Sequence, residues 1–428
     1  MLIDWINKLA SLFNRKSSLI VVSPWTTAFG NLAEDMYYAW LRARREHKKV
    51  IFLSCKQIPW KFRLTPIANK ELLNVGSSFS GKRHRFFIFL EWCLTIFFTL
   101  SQTGYQFWRK YLDWRRPLPV FQPKYVQPTM GRDGLWKNGG LNPPQWKEEY
   151  NEYLPVFLDP GKKKSMEIVR KQEMGIPLDD WFVCLHVREA GFRNEPRYNL
   201  LRNASILNYI EGIKLITQRG GWVVRLGDKS MTPLPPMERV FDYALSPLKS
   251  QFMDLYLISE CRFFIGTNSG PQDVARLFQK RELLLNVCEW LYSWPVRPRD
   301  RMITKHHFST SMGRFLSVQE TFEASLDCLY YFHVGRGTYE LHENTSDEIR
   351  DAVQEFLDES SPPSPLQMIA RETRNRQLHQ WINEGCRIDG KPAFSTLERD
   401  RLGSKLFFQG LVSSSFLDKN WLRNSRNP

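Results

Sequence analysis

Two short stretches in the middle of the chain carry residues suited to handling an anion. The first is FVCLHVRE, where His186 and Arg188 stand two apart at the end of an apolar run. Alternate residues of a strand share a face, so the two side chains would project to the same side. Arginine offers a fork of donors matched to phosphate, and an imidazole can donate to an oxygen or act as a base. On its own the pair is equally compatible with a backbone-bonded histidine and a salt-bridged arginine. The second stretch is RFFIGTNSGP, an apolar run opening into Thr267, Asn268, Ser269, Gly270 and Pro271. Hydroxyls, a permissive glycine and the fresh N–H groups of a helix start converge there, which makes an anion site or a plain N-cap. Between them, WVVRLGD brings Arg225, Gly227 and Asp228, and RVFDYA brings Asp242. Asp228 also fits a turn, and Asp242 a partner for a basic neighbour. Three successive strand ends with anion-friendly residues weigh more than any one.

These positions need a scaffold of parallel strands. LIVV (19–22), a helix over 31–45 and KKVIFL (48–53) read as a βαβ opening. Residues from about 56 to 150 break the alternation with aromatics, prolines and glycines. From Trp181 it returns: strand FVCLHV, a helix near 206–219, strand WVVRL, a helix near 250–260, strand RFFIG, a short helix from Gln272 and strand LLLNV. After about Ser317 the pattern is helical, and the last residues read as a polar tail. In parallel sheets ligands sit outside the carboxyl ends of the strands, where His186, Arg188, Arg225 and Thr267 fall. The loop SPWTTAFGN after the first strand places Thr26, Gly30 and Asn31 at the corresponding edge of the first half, as acceptor-side candidates; Trp25 and Phe29 there fit packing against the sheet equally well.

A length of 428 residues suits two domains rather than one. The expected architecture is α/β: two Rossmann-like lobes, with parallel sheets flanked by helices. An amphipathic N-terminal helix would occupy 1–16, a first lobe 17–165, a second lobe 166–345, and C-terminal helices with a tail 346–428. The apolar content of 42% excludes a disordered chain. Lys and Arg number 60 against 45 Asp and Glu, a net charge of +15, so the partners should be acidic: phosphates, nucleic acid or an anionic membrane. No RNA-recognition or helix-turn-helix signature is present, which argues against nucleic acid. Seven scattered cysteines without CxxC spacing suit a reducing cytoplasm better than a disulfide framework.

The apolar insertion FFIFLEWCLTIFFTL (86–100), within a basic-flanked segment near 84–116, falls short of the roughly 20 apolar residues a spanning helix needs. A helix lying in the interface of an anionic membrane fits better, with a hidden span and a core or interlobe helix as the alternatives. There is no Walker A, GxGxxG, HExxH or GxSxG motif. A DxD motif is absent too, so no metal is implied.

The run HVREAGF, followed by YNLLRNASILNYIEGIKLITQRGGWVVRLGD, FDYA, KSQFMDLYLISECRFFIGTNSGP and RPRDRMITK, resembles a family of bacterial glycosyltransferases associated with surface-polysaccharide loci. The likeness covers roughly 181–305. More distantly, the HxR and GTxSG elements look like the donor-binding parts of fucosyltransferase-type enzymes with two Rossmann-like (GT-B-like) lobes. By resemblance, Arg188 would contact a donor diphosphate, with His186 beside it and Thr267 to Gly270 cradling phosphate or ribose. Arg225, Gly227 and Asp242 would complete the donor side. The stretch PQDVARLF departs from the more apolar helix expected at that point. The resemblance implies transfer of a sugar from a nucleoside-diphosphate-sugar, a co-substrate rather than a cofactor, to a glycan or lipid-linked acceptor at the inner face of a membrane. His186, Glu189 and Asp228 are the candidate bases, and the residues do not rank them. A non-catalytic nucleotide- or polyanion-binding protein of the same fold is the rival.

Overall fold

The computed structural model describes residues 19–22, 24, 28–52, 67–81, 85, 88–89, 92–93, 154–191, 197–288, 297–323, 337, 339–358, 362–384, 387–388, 391–392 and 409–423. The 1–16 helix, Thr26 and most of the 86–100 run lie outside these residues. The chain divides into two compact units, residues 1–139 with 154–159, and residues 140–153 with 160–428.

In the first unit, β1 (Leu19–Val22) pairs in parallel with β2 (Lys49–Phe52) across helix α1 (Phe29–Arg45), the βαβ opening legible in the sequence. The apolar stripe of α1, including Leu32, Met36 and Trp40, is buried, and the Trp40 ring meets Phe52 edge-on at 5.4 Å. A small antiparallel pair, β3 (Gly76–Ser77) and β4 (Val156–Phe157), completes what is described there.

The second unit is built on a seven-stranded sheet in which every pairing is parallel. Helix α2 (Pro160–Gln172) precedes β5 (Phe182–His186), all five residues of which are buried. The chain continues through a short 3-10 turn (Ile206–Tyr209), α3 (Ile210–Gln218) and β6 (Trp222–Arg225) to β7 (Val240–Phe241). It then passes through α4 (Gln251–Glu260), β8 (Phe263–Gly266) and α5 (Gly270–Leu277) to β9 (Arg281–Val287) and β10 (Arg301–Thr304). Continuous apolar runs mark such strands, because a parallel sheet with helices on both faces exposes neither. Ser250 caps α4, its side chain accepting from the Met253 N–H at 3.1 Å.

A three-stranded antiparallel sheet follows, from β11 (His306–Ser309), β12 (Arg314–Phe315) and, after α6 (Val318–Glu323), β13 (Tyr339–His342). Helix α7 (Ser346–Asp358) packs on α3, and α8 (Pro365–Glu384) on α6. The hairpin strands β14 (Arg387–Ile388) and β15 (Lys391–Pro392) come next.

Residues 411–420, near the end that reads as a polar tail, are part of the core. Leu411 and Val412 form β16, which joins the sheet beside β10, and α9 (Ser414–Asn420) buries Phe416 and Leu417. Pairing with β10 satisfies the backbone of a two-residue strand too short to announce itself by periodicity.

The sheet order is β16-β10-β9-β8-β5-β6-β7. From β5 the chain winds outward through β6 and β7, then returns to the other side of β5 with β8 and continues outward through β9 and β10. The winding reverses between β5 and β8, so the carboxyl ends of these two strands flank the crevice where such sheets hold ligands.

Candidate active site

His186 ends β5 and Gly266 ends β8, and the two residues are register partners. The strands approach so closely there that a Cβ on Gly266 would stand 2.6 Å from the His186 carbonyl oxygen. The Thr267 N–H donates to that same carbonyl at 3.1 Å. In return, the Arg188 backbone N–H donates to Thr267 Oγ1 at 3.0 Å. The HxR and GTNSG elements are therefore one structure, joined across the reversal of the sheet.

Ser269 is the extended N-cap of α5, yet its hydroxyl does not cap the helix. It lies 3.1 Å from the Thr267 carbonyl oxygen and 2.9 Å from His186 Nδ1. A hydroxyl has one proton to give. If it goes to the Thr267 carbonyl, the imidazole donates from Nδ1 and keeps its lone pair on Nε2. Helix α5 begins at Gly270; Pro271 carries no N–H and the Gln272 N–H already donates to the Ser269 carbonyl at 3.1 Å, so what the helix start presents beside this cluster is the positive end of its dipole. Asn268, buried, accepts from the Cys288 N–H at 3.4 Å and ties the loop to the end of β9.

His186 is held neutral. Burial, followed by the positive charges of Arg225, Lys249 and Arg188, pushes its imidazole from an ordinary 6.5 down to about 3, against a weak opposing pull from Asp228. The Arg188 guanidinium donates to the Asn203 side-chain carbonyl at 2.7 Å.

Arg225 is wholly buried at the end of β6, with one terminal nitrogen 2.9 Å from Glu189 and the other 3.1 Å from Asp242. Both carboxylates also accept backbone N–H groups, Glu189 from Thr232 at 2.9 Å and Asp242 from Leu234 at 3.1 Å. Arg225, Glu189 and Asp242 thus form a closed ion network that fixes the 232–234 loop beside β6. Asp228 accepts from both the backbone N–H and the hydroxyl of Ser230, as a turn aspartate does. Gly227 precedes it at φ 155°, where a Cβ would meet the Met231 sulfur at 2.0 Å, so no larger residue fits. Asp254, on α4, pairs with Lys249 at 3.0 Å.

The structure therefore brings His186, Arg188, Glu189, Arg225, Asp242, Thr267, Asn268, Ser269 and Gly270 to adjoining strand ends of the second unit. Gly30 and Asn31 lie in the first turn of α1 in the first unit. Two participants escaped the sequence reading as site residues. Asn203 was one polar residue in a loop, and Lys305 was one of several basic residues in RPRDRMITK. Lys305 is 5% exposed and donates to the Asn203 main-chain carbonyl at 2.6 Å. Among the described residues, no cluster of three or more His, Cys, Asp or Glu is arranged to hold a metal ion.

No family model and no curated protein matches the chain. Among solved structures, a glycosyl transferase family 9 protein from Veillonella parvula matches at 11% identity and a TM-score of 0.31, over 48% of this chain and 54% of that one. The chain thus spans about half the length of that protein. ADP-heptose LPS heptosyltransferase II of E. coli matches at 13% identity and a TM-score of 0.34, over 67% and 89% of the two chains. The iron-containing dodecameric glycosyltransferase TibC of enterotoxigenic E. coli matches at 16% identity and a TM-score of 0.18, over 30% of each. Superpositions this partial do not bear on activity or ligands.

Proposed function

We propose that the protein transfers a sugar from a nucleoside-diphosphate-sugar donor to a cell-surface glycan or lipid-linked acceptor, without a metal ion. The observation that carries this reading is the junction of His186 and Arg188 with the Thr267–Gly270 loop at the reversal of the sheet. Glycosyl transfer from such a donor develops negative charge on the departing diphosphate. A guanidinium and the positive end of a helix dipole, fixed in advance, stabilise that charge without having to reorganise. Arg188 and the start of α5 occupy that role, while His186, neutral, offers a hydrogen bond without repelling a cation. His186, Glu189 and Asp228 are the candidate bases for the acceptor hydroxyl. Thr26, Gly30 and Asn31 remain the candidates on the acceptor side.

The apolar insertion supports work at a membrane surface. Ile88, Phe89 and Trp92 are all exposed, spaced as one helical face, with the exposed Arg85 a turn earlier. Among the described residues no helix is long and apolar enough to cross a membrane. Flotation with anionic vesicles should capture the full chain and lose a variant lacking residues 86–100; retention of that variant would remove the anchoring role.

The same geometry also favours a second reading, in which the site binds a nucleotide or other polyanion without turning it over. Glu189 is bonded to Arg225 and Thr232, Asp228 to Ser230, and His186 is a very weak base. Thermal stabilisation by a panel of nucleoside diphosphates and nucleotide sugars tests donor binding. A selective shift for one base, lost in Arg188→Ala, supports the site, and turnover of that donor in the presence of EDTA separates the enzyme from the binder. No shift with any member would count against both readings.

A further inference from the structure

Lys305 directly follows β10, and its backbone N–H donates to the Val287 carbonyl at 2.9 Å, so it stands at the carboxyl ends of β9 and β10. Only β9 separates β10 from β8, which leads into the Thr267 loop. The Lys305 ammonium is buried and donates to the main-chain carbonyl of Asn203 at 2.6 Å. The side-chain carbonyl of the same Asn203 accepts from Arg188 at 2.7 Å. Two cations from different strands of the ligand edge therefore meet on one residue. Among the described residues Lys305 forms no ion pair with a carboxylate. Glu343, whose charge reaches it, spends its own hydrogen bonds on the Ser205 N–H and the Asn208 amide.

A buried ammonium that has, among the described residues, one carbonyl for compensation is a costly thing to keep, because its lost hydration is not returned by a neutral acceptor. Burial accordingly holds its pKa below the ordinary lysine value. An anion arriving at the strand ends would supply the missing charge. We infer that Lys305 binds one phosphoryl group of a diphosphate whose other phosphoryl group lies on Arg188, with Asn203 setting the distance between the two cations. This rests on the donor-site reading above and goes beyond it: it adds Lys305 and Asn203 to the site and assigns the two phosphoryl groups to two separate cations.

Calorimetric titration of the full chain with inorganic pyrophosphate and with orthophosphate tests the inference. The wild type should bind pyrophosphate about tenfold or more tightly than orthophosphate, and Lys305→Met should remove that preference while orthophosphate affinity stays within about threefold. The unliganded melting temperature of Lys305→Met should hold or rise, because an uncompensated buried charge has gone. Lys305→Gln, which can still donate to the Asn203 carbonyl, should lose the preference equally. An unchanged preference in both variants overturns the inference. So does a fall in melting temperature in Lys305→Met that Lys305→Gln restores together with pyrophosphate binding, since the residue would then be a tether. A wild type that binds nucleoside diphosphates in an Arg188-dependent way, indifferent to Lys305, sinks this inference alone. One that binds no nucleotide and neither probe sinks the donor-site reading with it.

Discussion

Asn286 and Asn344, 58 residues apart, hydrogen-bond each other's backbone in both directions. The Asn286 N–H donates to Asn344 Oδ1 at 2.8 Å, and the Asn344 N–H donates to Asn286 Oδ1 at 2.7 Å. Each amide nitrogen then reaches a third group, the Tyr209 hydroxyl at 3.0 Å and the Thr304 carbonyl at 2.8 Å. Asn286 adopts φ 54°, a left-handed conformation that asparagine tolerates better than most residues. The clamp joins the ends of β9 and β10 to the segment after β13, directly before Cys288 and Lys305.

Breaking that clamp should be expensive and non-additive. Asn286→Ala strands a buried N–H of Asn344 and strains the backbone, for about 3 kcal/mol lost, and Asn344→Ala should cost a similar amount. The double variant should fall short of the sum by about 1 kcal/mol or more, as residues sharing bonds do. Urea denaturation of the four proteins checks this, and simple additivity would mean that the two residues do not act as a unit.

Gly266→Ala tests the close approach of β5 and β8. Its Cβ would face the His186 carbonyl oxygen at 2.6 Å and the Phe264 ring at 2.8 Å, and backbone cannot swing aside as a side chain can. We expect a loss of about 1–3 kcal/mol in stability together with weaker nucleotide binding. Normal binding in a destabilised variant would separate the strand spacing from the site.

Arg188 and Arg225 should behave oppositely on truncation. On the proposed reading, Arg188→Ala leaves the fold within about 1 kcal/mol of wild type while removing a charge-assisted contact, so nucleoside-diphosphate affinity falls by about tenfold to a hundredfold. Arg225→Met leaves Glu189 and Asp242 facing each other without their buried cation. That should cost about 3 kcal/mol, the low end for a buried pair because both carboxylates keep some exposure. Melting curves and calorimetric titrations with nucleoside diphosphates on the two variants give the comparison; a well-folded Arg225→Met that binds them normally would contradict it.

Much of this arrangement is legible in the chain before any coordinates. The runs ending at His186, Arg225 and Gly266 are apolar, bounded by turn residues and spaced by helical segments, and a buried parallel strand leaves no other trace. Their polar end residues follow from the rule about strand carboxyl ends. Leu411 and Val412 are different: two apolar residues carry no period, and they become a strand only because β10 offers an open edge. Lys305 is hidden for a related reason. Surrounded in sequence by Arg297, Arg299, Arg301 and Asp300, it reads as one charge of a solvated group, and its burial comes from neighbours distant in the chain. Asp242 could be suspected of pairing with a basic neighbour and Glu189 read as a candidate base, but that both share Arg225 required the register of β5, β6 and β7. For the first unit, Gly30 and Asn31 are where the helix start was expected, and Thr26 lies outside the described residues.

The acid limb of stability should carry the signature of His186. Its folded pKa of about 3 lies below its ordinary 6.5, so between those values the unfolded chain takes up a proton that the folded protein refuses. The stability contributed by the neutral ring is therefore complete above about pH 6.5, and it drains away as the pH falls toward 3, by at most about 1.4 kcal/mol per pH unit. The neighbouring charges of Arg225, Lys249 and Arg188 keep the sign fixed, because each disfavours an imidazolium. His186→Gln keeps hydrogen-bonding groups for Ser269 but cannot titrate. Its unfolding free energy, measured in urea from pH 7 to pH 4, should decline less steeply than that of the wild type, with the gap widening toward acid. Parallel curves for the two proteins would mean that the imidazole protonates in place, and that the cluster of cations around it is less closed than its burial indicates.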